Sequence, residues 1–211
     1  IQRIALAFRF RVLSQMKKMP ENIKIVKMTF GEQMSSLWGV LFISVIILFL
    51  MGCREAYPNR QIVGEVFPEV HGNSLEGKAH QLPGDFLNEK IVYLIGYVQN
   101  SQFDIDRWLI GLDMTKTKVK AIELPTIQGL FPRMFQTKID EGMRRGIPKN
   151  LWGGVITIYK DGDKVQKFTG NTNPNNARVV LLDDQGVIRY FYDDGFSVGA
   201  LNALHKELGK L

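Results

Sequence analysis

Cysteine is the residue type that this chain has least of. Of its 211 residues one is a cysteine, Cys53, and three are histidines, His71, His80 and His205. A single thiol excludes an intrachain disulfide, and it excludes cysteine chemistry from residues 54–211. The histidines do not have the spacing of a zinc site with each other or with the cysteine, so we expect no bound metal and no cofactor.

Several motifs and charge patterns are also missing. The chain has no P-loop, no dinucleotide fingerprint and no G-x-S-x-G. The pairs Asp183-Asp184 and Asp193-Asp194 stand where turns favour Asp, and they lack the spaced ligands of a calcium loop. Seven Lys or Arg against two Asp or Glu give residues 1–52 a net charge of +5, which leaves +1 of the chain's +6 for the rest. A domain this close to neutrality lacks the basic surface that nucleic-acid binding needs.

What the chain does have is one long apolar run, Leu37–Gly52, which contains 16 residues and no charge. As a helix it would be about 24 Å long against a hydrocarbon core of roughly 30 Å, which favours a signal-peptide h-region over a membrane span. The run ends in Leu50-Met51-Gly52-Cys53, which resembles the lipobox of bacterial lipoproteins, although Met51 is bulkier than the usual residue. The resemblance implies that Cys53 is acylated and becomes the first residue of the mature chain. The alternative is an uncleaved N-terminal anchor with an incidental cysteine.

The apolar run divides the chain into segments. Residues 1–36 form a presequence whose four lysines, at positions 17, 18, 24 and 27, suit a basic n-region. We interpret residues 1–15 as an untranslated extension, because the chain begins with Ile1 and has later methionines; an amphipathic membrane-surface helix is the alternative. The segments that follow are 37–53 as h-region and lipobox, 54–61 as a short tether, and 62–211 as one domain.

Strand and helix patterns alternate along this domain. The continuous apolar run Ile91–Val98 is typical of a strand buried on both faces. Apolar residues then recur at helical spacing from Ile105 to Leu112, with Ser101 or Asp104 as a candidate cap, and Lys118–Leu124 predicts a second strand, parallel to the first. The remaining predicted elements are an extended run Ile62–Phe67, a hairpin within Glu69–Leu82, a helix Gly129–Arg145, the segments Val155–Tyr159 and Val165–Phe168 flanking a turn, a hairpin of Arg178–Leu182 and Val187–Tyr192, and a last helix capped by Ser197.

This order of elements resembles the α/β thioredoxin-like fold, in the branch that contains peroxiredoxins and thioredoxin-like lipoproteins. Ala177–Arg189, ARVVLLDDQGVIR, is similar to the peroxiredoxin segment in which an Arg opens a strand that ends in Asp and a Gly turn. Val63–Pro68 is similar to the opening G-x-x-x-P pattern of the same family. The resemblance implies a central mixed β-sheet flanked by helices and preceded by the N-terminal signal or anchor helix. It also makes Arg178 a candidate anion-binding residue.

The reactive thiol of that family is missing here. Thioredoxins and peroxiredoxins place it just after the first buried strand, where a helix N-terminus lowers the thiol pKa. This chain has Gln99, Asn100, Ser101 and Gln102 at that place. We interpret these four residues as a degenerate active-site loop, and we expect no catalytic residue in it.

These observations predict a lipid-anchored envelope protein whose redox-inactive domain binds or assembles something, a role similar to that of the mitochondrial ATP synthase assembly factors that share this fold. The expected partners are the membrane, through the lipid or an uncleaved helix, and an unidentified envelope protein. Arg54 is not the Asp associated with inner-membrane retention, which favours the outer membrane on its periplasmic side. The alternative is a degenerate enzyme in which Arg178 binds an anion or substrate with Ser101 or Asp104. A metal-delivery role, by analogy with copper-delivery members of the fold, lacks the ligands.

Overall fold

The computed structural model describes residues 56–129 and 134–211, so the predicted presequence, the apolar run and Cys53 lie outside the described residues. Within these two stretches no helix has the length and apolar character needed to cross a bilayer. The strands are β1 (Val70–Ser74), β2 (Ala79–Leu82), β3 (Ile91–Gly96), β4 (Lys120–Pro125), β5 (Ile156–Thr157), β6 (Arg178–Leu182) and β7 (Ile188–Tyr192), and the helices are α1 (Gln102–Met114), α2 (Gln136–Gly146), α3 (Gly162–Thr169) and α4 (Val198–Leu208).

The central sheet has the strand order β4-β3-β6-β7. β3 pairs with β4 in parallel and with β6 antiparallel, and β6 pairs antiparallel with β7. All six residues of β3 are buried, as its continuous apolar run predicts. The parallel β3–α1–β4 unit and the β6–β7 hairpin are therefore both confirmed.

A smaller sheet with the order β2-β1-β5 extends this surface beyond β4. Two parallel bridges, Glu123 to Val155 and Thr126 to Ile158, place β5 beside β4. The amide of Ile158 donates to the carbonyl of Pro125 at 2.8 Å. The N-terminal hairpin is thus joined to the central sheet through β5.

Helices cover both faces of the central sheet. One hydrophobic cluster contains Trp108 of α1 and Leu201 of α4, and the other contains Val165 of α3. Alternation along β6 sends Val179 toward α1 and α4, and sends Val180 and Leu182 toward the other cluster. A βαβ unit followed by an antiparallel hairpin, with helices on both faces, is the thioredoxin-like arrangement, so the expected fold class is confirmed.

Two helices differ from the sequence-based expectation. Val165–Phe168, expected to flank a turn, belongs to α3, in which Val165 and Thr169 are one turn apart and both buried. A four-residue apolar segment does not distinguish strand from helix by its pattern. The helix expected from Gly129 is assigned as α2 from Gln136 onward, and residues 130–133 lie outside the described residues.

Candidate functional site

The loop after β3, which corresponds to the thiol-carrying loop of thioredoxins and peroxiredoxins, leads directly into α1. Gln99–Ser101 form a short 3-10 turn after β3, and Gln102 is the first residue of α1. Ser101 is buried, and its hydroxyl donates to the carbonyl of Val98 at 2.6 Å. It lies against Gly96, where an added Cβ would come within 2.5 Å of the Ser101 Oγ. Of the two candidate caps, Ser101 stands at the N-cap position of α1 but makes no capping hydrogen bond with its side chain, and Asp104 lies inside the first turn. The Ser197 cap is confirmed by a bond from the amide of Ala200.

Asp104 fastens the first turn of α1 to two other segments. Its carboxylate is buried and accepts from the amide of Ala177 at 2.9 Å and from the amide of Phe196 at 2.7 Å. Arg107 adds a third hydrogen bond at 3.1 Å. A carboxylate that serves as an internal acceptor therefore occupies the first turn of α1, the kind of helix N-terminus at which a thiol pKa is lowered.

Gln102, the first residue of α1, forms hydrogen bonds with two carboxylates. Its amide nitrogen donates to Asp106 and to Glu123 of β4, each at 3.0 Å. Burial raises the pKa of Glu123; the Gln102 hydrogen bond lowers it, and the negative charge of Asp106 raises it again. Sequence reasoning missed this cluster, although an acidic residue inside the predicted strand Lys118–Leu124 was a usable signal.

Arg178 is fully buried at the start of β6. Its Nη1 donates to the carbonyls of Asn173 at 2.6 Å and Asn176 at 2.8 Å, and its guanidinium carbon lies 4.8 Å from the centroid of the Tyr97 ring. Burial raises the pKa of nearby Asp193, and the positive charge of Arg178 opposes that shift. The buried side chain therefore stabilises the loop that precedes β6 through hydrogen bonds to its backbone.

The structure does not bring Arg178 together with the residues proposed to act with it. Arg178 alternates with Val179, so it points to the sheet face opposite α1. Ser101 and Asp104 belong to the α1 face, as their contacts with Gly96 and the amide of Ala177 show. Since the guanidinium is 0% exposed, an anion from solvent reaches it only if the loop opens. Anion binding by Arg178 stays a prediction.

The outer side of the same loop contacts the segment predicted to be a tether. The amide of Tyr57 donates to the side-chain oxygen of Asn171 at 2.7 Å, and the amide of Asn171 donates back to the Tyr57 carbonyl at 3.0 Å. Asn59 accepts from the amide of Thr172 at 3.2 Å and donates to the carboxylate of Asp193. Part of the predicted tether is thus hydrogen-bonded to the domain.

The three histidines make their contacts at separate places in the domain. His80 pairs with Asp85 at 2.9 Å, and His71 pairs with Asp161 at 3.1 Å. Across residues 56–129 and 134–211 there is no group of three His, Cys, Asp or Glu side chains that could hold a metal ion. His205 borders an open cavity of about 400 Å³ next to Lys90, which precedes β3 and is therefore at the end of the sheet away from the loop.

No protein-family model and no curated protein matches the sequence. Solved structures that resemble the chain include a thiol peroxidase from Chromobacterium violaceum, with 13% identity over 74% of this chain and 92% of the other and a TM-score of 0.48. The exposed lipoprotein thioredoxin Etrx1 from Streptococcus pneumoniae gives 9% over 68% and 100%, with a TM-score of 0.47. Copper-bound ScoI from Arabidopsis thaliana gives 9% over 69% and 99%, with a TM-score of 0.47. Likeness at this level says nothing about substrate, cofactor or partner.

Proposed function

We propose that this chain is a lipid-anchored envelope protein whose thioredoxin-like domain binds or assembles a partner and does not exchange thiols. The observation that supports this most concerns the position at which thioredoxins and peroxiredoxins carry their thiol. Ser101 and Asp104 are buried there, and both take part in internal hydrogen bonds. A hydroxyl becomes a nucleophile only with an adjacent base that takes its proton, and the Ser101 proton is directed to a backbone carbonyl.

The degenerate-enzyme alternative has less support. It requires Arg178 and either Ser101 or Asp104 to face one substrate, but these side chains belong to opposite faces of the sheet. Glu123 has a raised pKa, but its neighbours Gln102 and Asp106 supply neither a nucleophile nor a cation for a substrate.

The binding role is tested on the full chain in its native membranes. Chemical crosslinking followed by mass spectrometry is expected to recover one protein repeatedly, in proportion to the amount of the chain. In parallel, purified full chain is expected to show no insulin-disulfide reduction and no hydroperoxide consumption. Thiol activity that is lost on Cys53→Ser would disprove the redox-inactive assignment, and the absence of any reproducible crosslink would disprove the binding role.

The anchoring is tested separately with Cys53→Ala. If Cys53 carries the lipid, this variant loses incorporation of a radiolabelled fatty acid and keeps the uncleaved presequence. Wild-type protein that incorporates no label but still sediments with membranes would replace the lipid anchor by the uncleaved-helix alternative. Recovery of the wild-type chain from the soluble fraction would remove membrane anchoring altogether.

A further inference from the structure

Helices α1 and α4 start at the same edge of the central sheet and run side by side. This is the edge at which β3 and β7 end, and it is called the carboxyl edge below. The amide of Phe196, just before α4, bonds to Asp104 in the first turn of α1. At the other ends of the two helices, Thr117, just after α1, lies 2.7 Å from the His205 ring. Each helix therefore runs from the carboxyl edge toward the opposite end of the domain.

The chain also enters the domain at the carboxyl edge. Asn59 bonds to Asp193, the residue that follows β7, and Tyr57 bonds to Asn171 in the loop before β6. Four residue steps separate Tyr57 from Cys53. Covalent geometry alone limits that separation to about 14 Å.

Exposed apolar side chains by themselves do not show which end of helices α1 and α4 faces the membrane. Phe103, near the start of α1, is 59% exposed, and Val198, at the start of α4, is 66% exposed. Met114, at the far end of α1, is 77% exposed, and Leu211, beyond α4, is 37% exposed. Met114 lies about 16 Å further along α1 from the carboxyl edge than Phe103 does. Because the connection from this edge to Cys53 spans at most about 14 Å, it favours the first pair as the one nearer the membrane.

We propose that the carboxyl edge faces the bilayer and that Phe103 and Val198 contact its headgroup region. The headgroup layer is roughly 5–8 Å deep in each leaflet, which is within reach of a 14 Å connection. The proposal rests on the membrane anchoring of the proposed function, and it holds for a lipidated Cys53 or an uncleaved run because both end at the same position. Residues 53–211 carry a net charge of only +1, so the domain as a whole has no large positive charge that would require an anionic lipid, and we commit to a zwitterionic phospholipid.

The test uses the full chain in phosphatidylcholine vesicles that contain a trace of phosphatidylcholine with a photoreactive diazirine in its headgroup. Trypsin cuts after Arg107 and Lys116, so it separates Phe103 from Met114. After irradiation, the peptide 91–107 is expected to carry several-fold more lipid adduct than the peptide 108–116. The peptide 190–206, which contains Val198, is likewise expected to exceed 207–210.

Two matched variants test whether Phe103 contacts the lipid, and a longer connection tests whether the short link to Cys53 orients the domain. Phe103→Gln is expected to lower the adduct on its own peptide, and Met114→Gln, on the same helix, is expected to change nothing. A flexible Gly-Ser insertion between Glu55 and Ala56 removes the distance limit, so the ratio between the two ends is expected to fall. Membrane-bound protein with equal labelling at both ends of α1 would overturn the proposal but not the anchoring. A chain found outside the membrane would instead overturn the proposed function.

Discussion

At the scale of single residues, the region after β3 shows polar side chains that are used for internal hydrogen bonds. The hydroxyl of Ser101 is directed to a backbone carbonyl, and the carboxylate of Asp104 accepts two backbone amides from other segments. A backbone amide that is buried without an acceptor costs about 1–3 kcal/mol. The polar residues in this region therefore contribute to folding stability through satisfied hydrogen bonds.

Replacing Asp104 measures that contribution. Asp104→Ala removes the acceptor for the amides of Ala177 and Phe196, so we expect the free energy of unfolding to fall by about 2–4 kcal/mol. Urea unfolding of the full chain in mild detergent gives this value. Asp113→Ala, at an exposed position of the same helix, is the control and is expected to stay within about 0.5 kcal/mol of wild type. Equal effects of the two substitutions would show that Asp104 does not fasten α1.

The raised pKa of Glu123 predicts that its contribution to folding stability becomes less favourable as the pH rises. An ordinary ion-paired carboxylate, whose pKa is lowered, has the opposite effect. The pKa of Glu123 lies above the ordinary 4.5 because the surrounding protein desolvates the half-buried carboxylate, so ionising it costs more in the folded than in the unfolded chain. Its destabilising effect is absent below pH 4.5, grows as the pH rises from 4.5 to the raised pKa of the folded chain, and stays constant above it. Glu123→Gln is therefore expected to be more stable than wild type near pH 7 and equal to it near pH 4.

Thermal unfolding of wild type and variant at the two pH values provides the measurement. Glu89→Gln is the control, because Glu89 is an exposed residue paired with Lys120 at 3.2 Å. Such a surface pair contributes about 0–1 kcal/mol, so little change is expected at either pH. A Glu123→Gln variant that is less stable near pH 7 would mean that the Gln102 hydrogen bond outweighs the burial.

At the scale of elements, the parts that the sequence predicts are those with a local cause. β3 follows from a continuous apolar run, and the β6–β7 hairpin follows from two apolar runs around an Asp-Asp-Gln-Gly turn. The helical state of Val165–Phe168 depends on its packing against the sheet, which four residues do not encode. The Gln102–Asp106–Glu123 cluster and the docking of Asn59 arise only when distant segments meet. The missing thiol was visible in the sequence, whereas the hydrogen bonds of the side chains around it were not.

The docked N-terminal segment gives a prediction at this scale. Gly170 has φ +80°, and a Cβ there would come within 2.4 Å of the Asn59 Cα. Gly170→Ala is expected to displace the segment and to speed tryptic cleavage at Arg60. Gly195→Ala is the matched control, because Gly195 has φ +83° but its added Cβ would find its nearest neighbour at 3.5 Å. Both variants should lose stability from backbone strain, and Gly170→Ala should lose more, about 1–3 kcal/mol, because Gly170 also has ψ 160°, a conformation that is essentially restricted to glycine. Only Gly170→Ala should speed cleavage at Arg60 beyond what this loss of stability explains, and equal cleavage of the two variants would show that the segment is not held there.

At the scale of the whole molecule, the central strands link the two hydrophobic clusters. Leu181 packs in the cluster with Trp108, and its neighbour Leu182 packs in the cluster with Val165. Both leucines are fully buried on one strand that pairs with β3. Because no disulfide can form within residues 54–211, cohesion between the two faces depends on β3 and β6.

The two leucines therefore test whether the domain unfolds as one unit. Leu181→Ala and Leu182→Ala are each expected to cost about 2–5 kcal/mol. If the faces are coupled, either variant lowers amide-exchange protection in α1 and in α3 by the same amount, because both helices are released only by global opening. Hydrogen exchange of the full chain in detergent, read by mass spectrometry, gives both values at once. Loss of protection in α3 alone for Leu182→Ala would show that the two faces open independently.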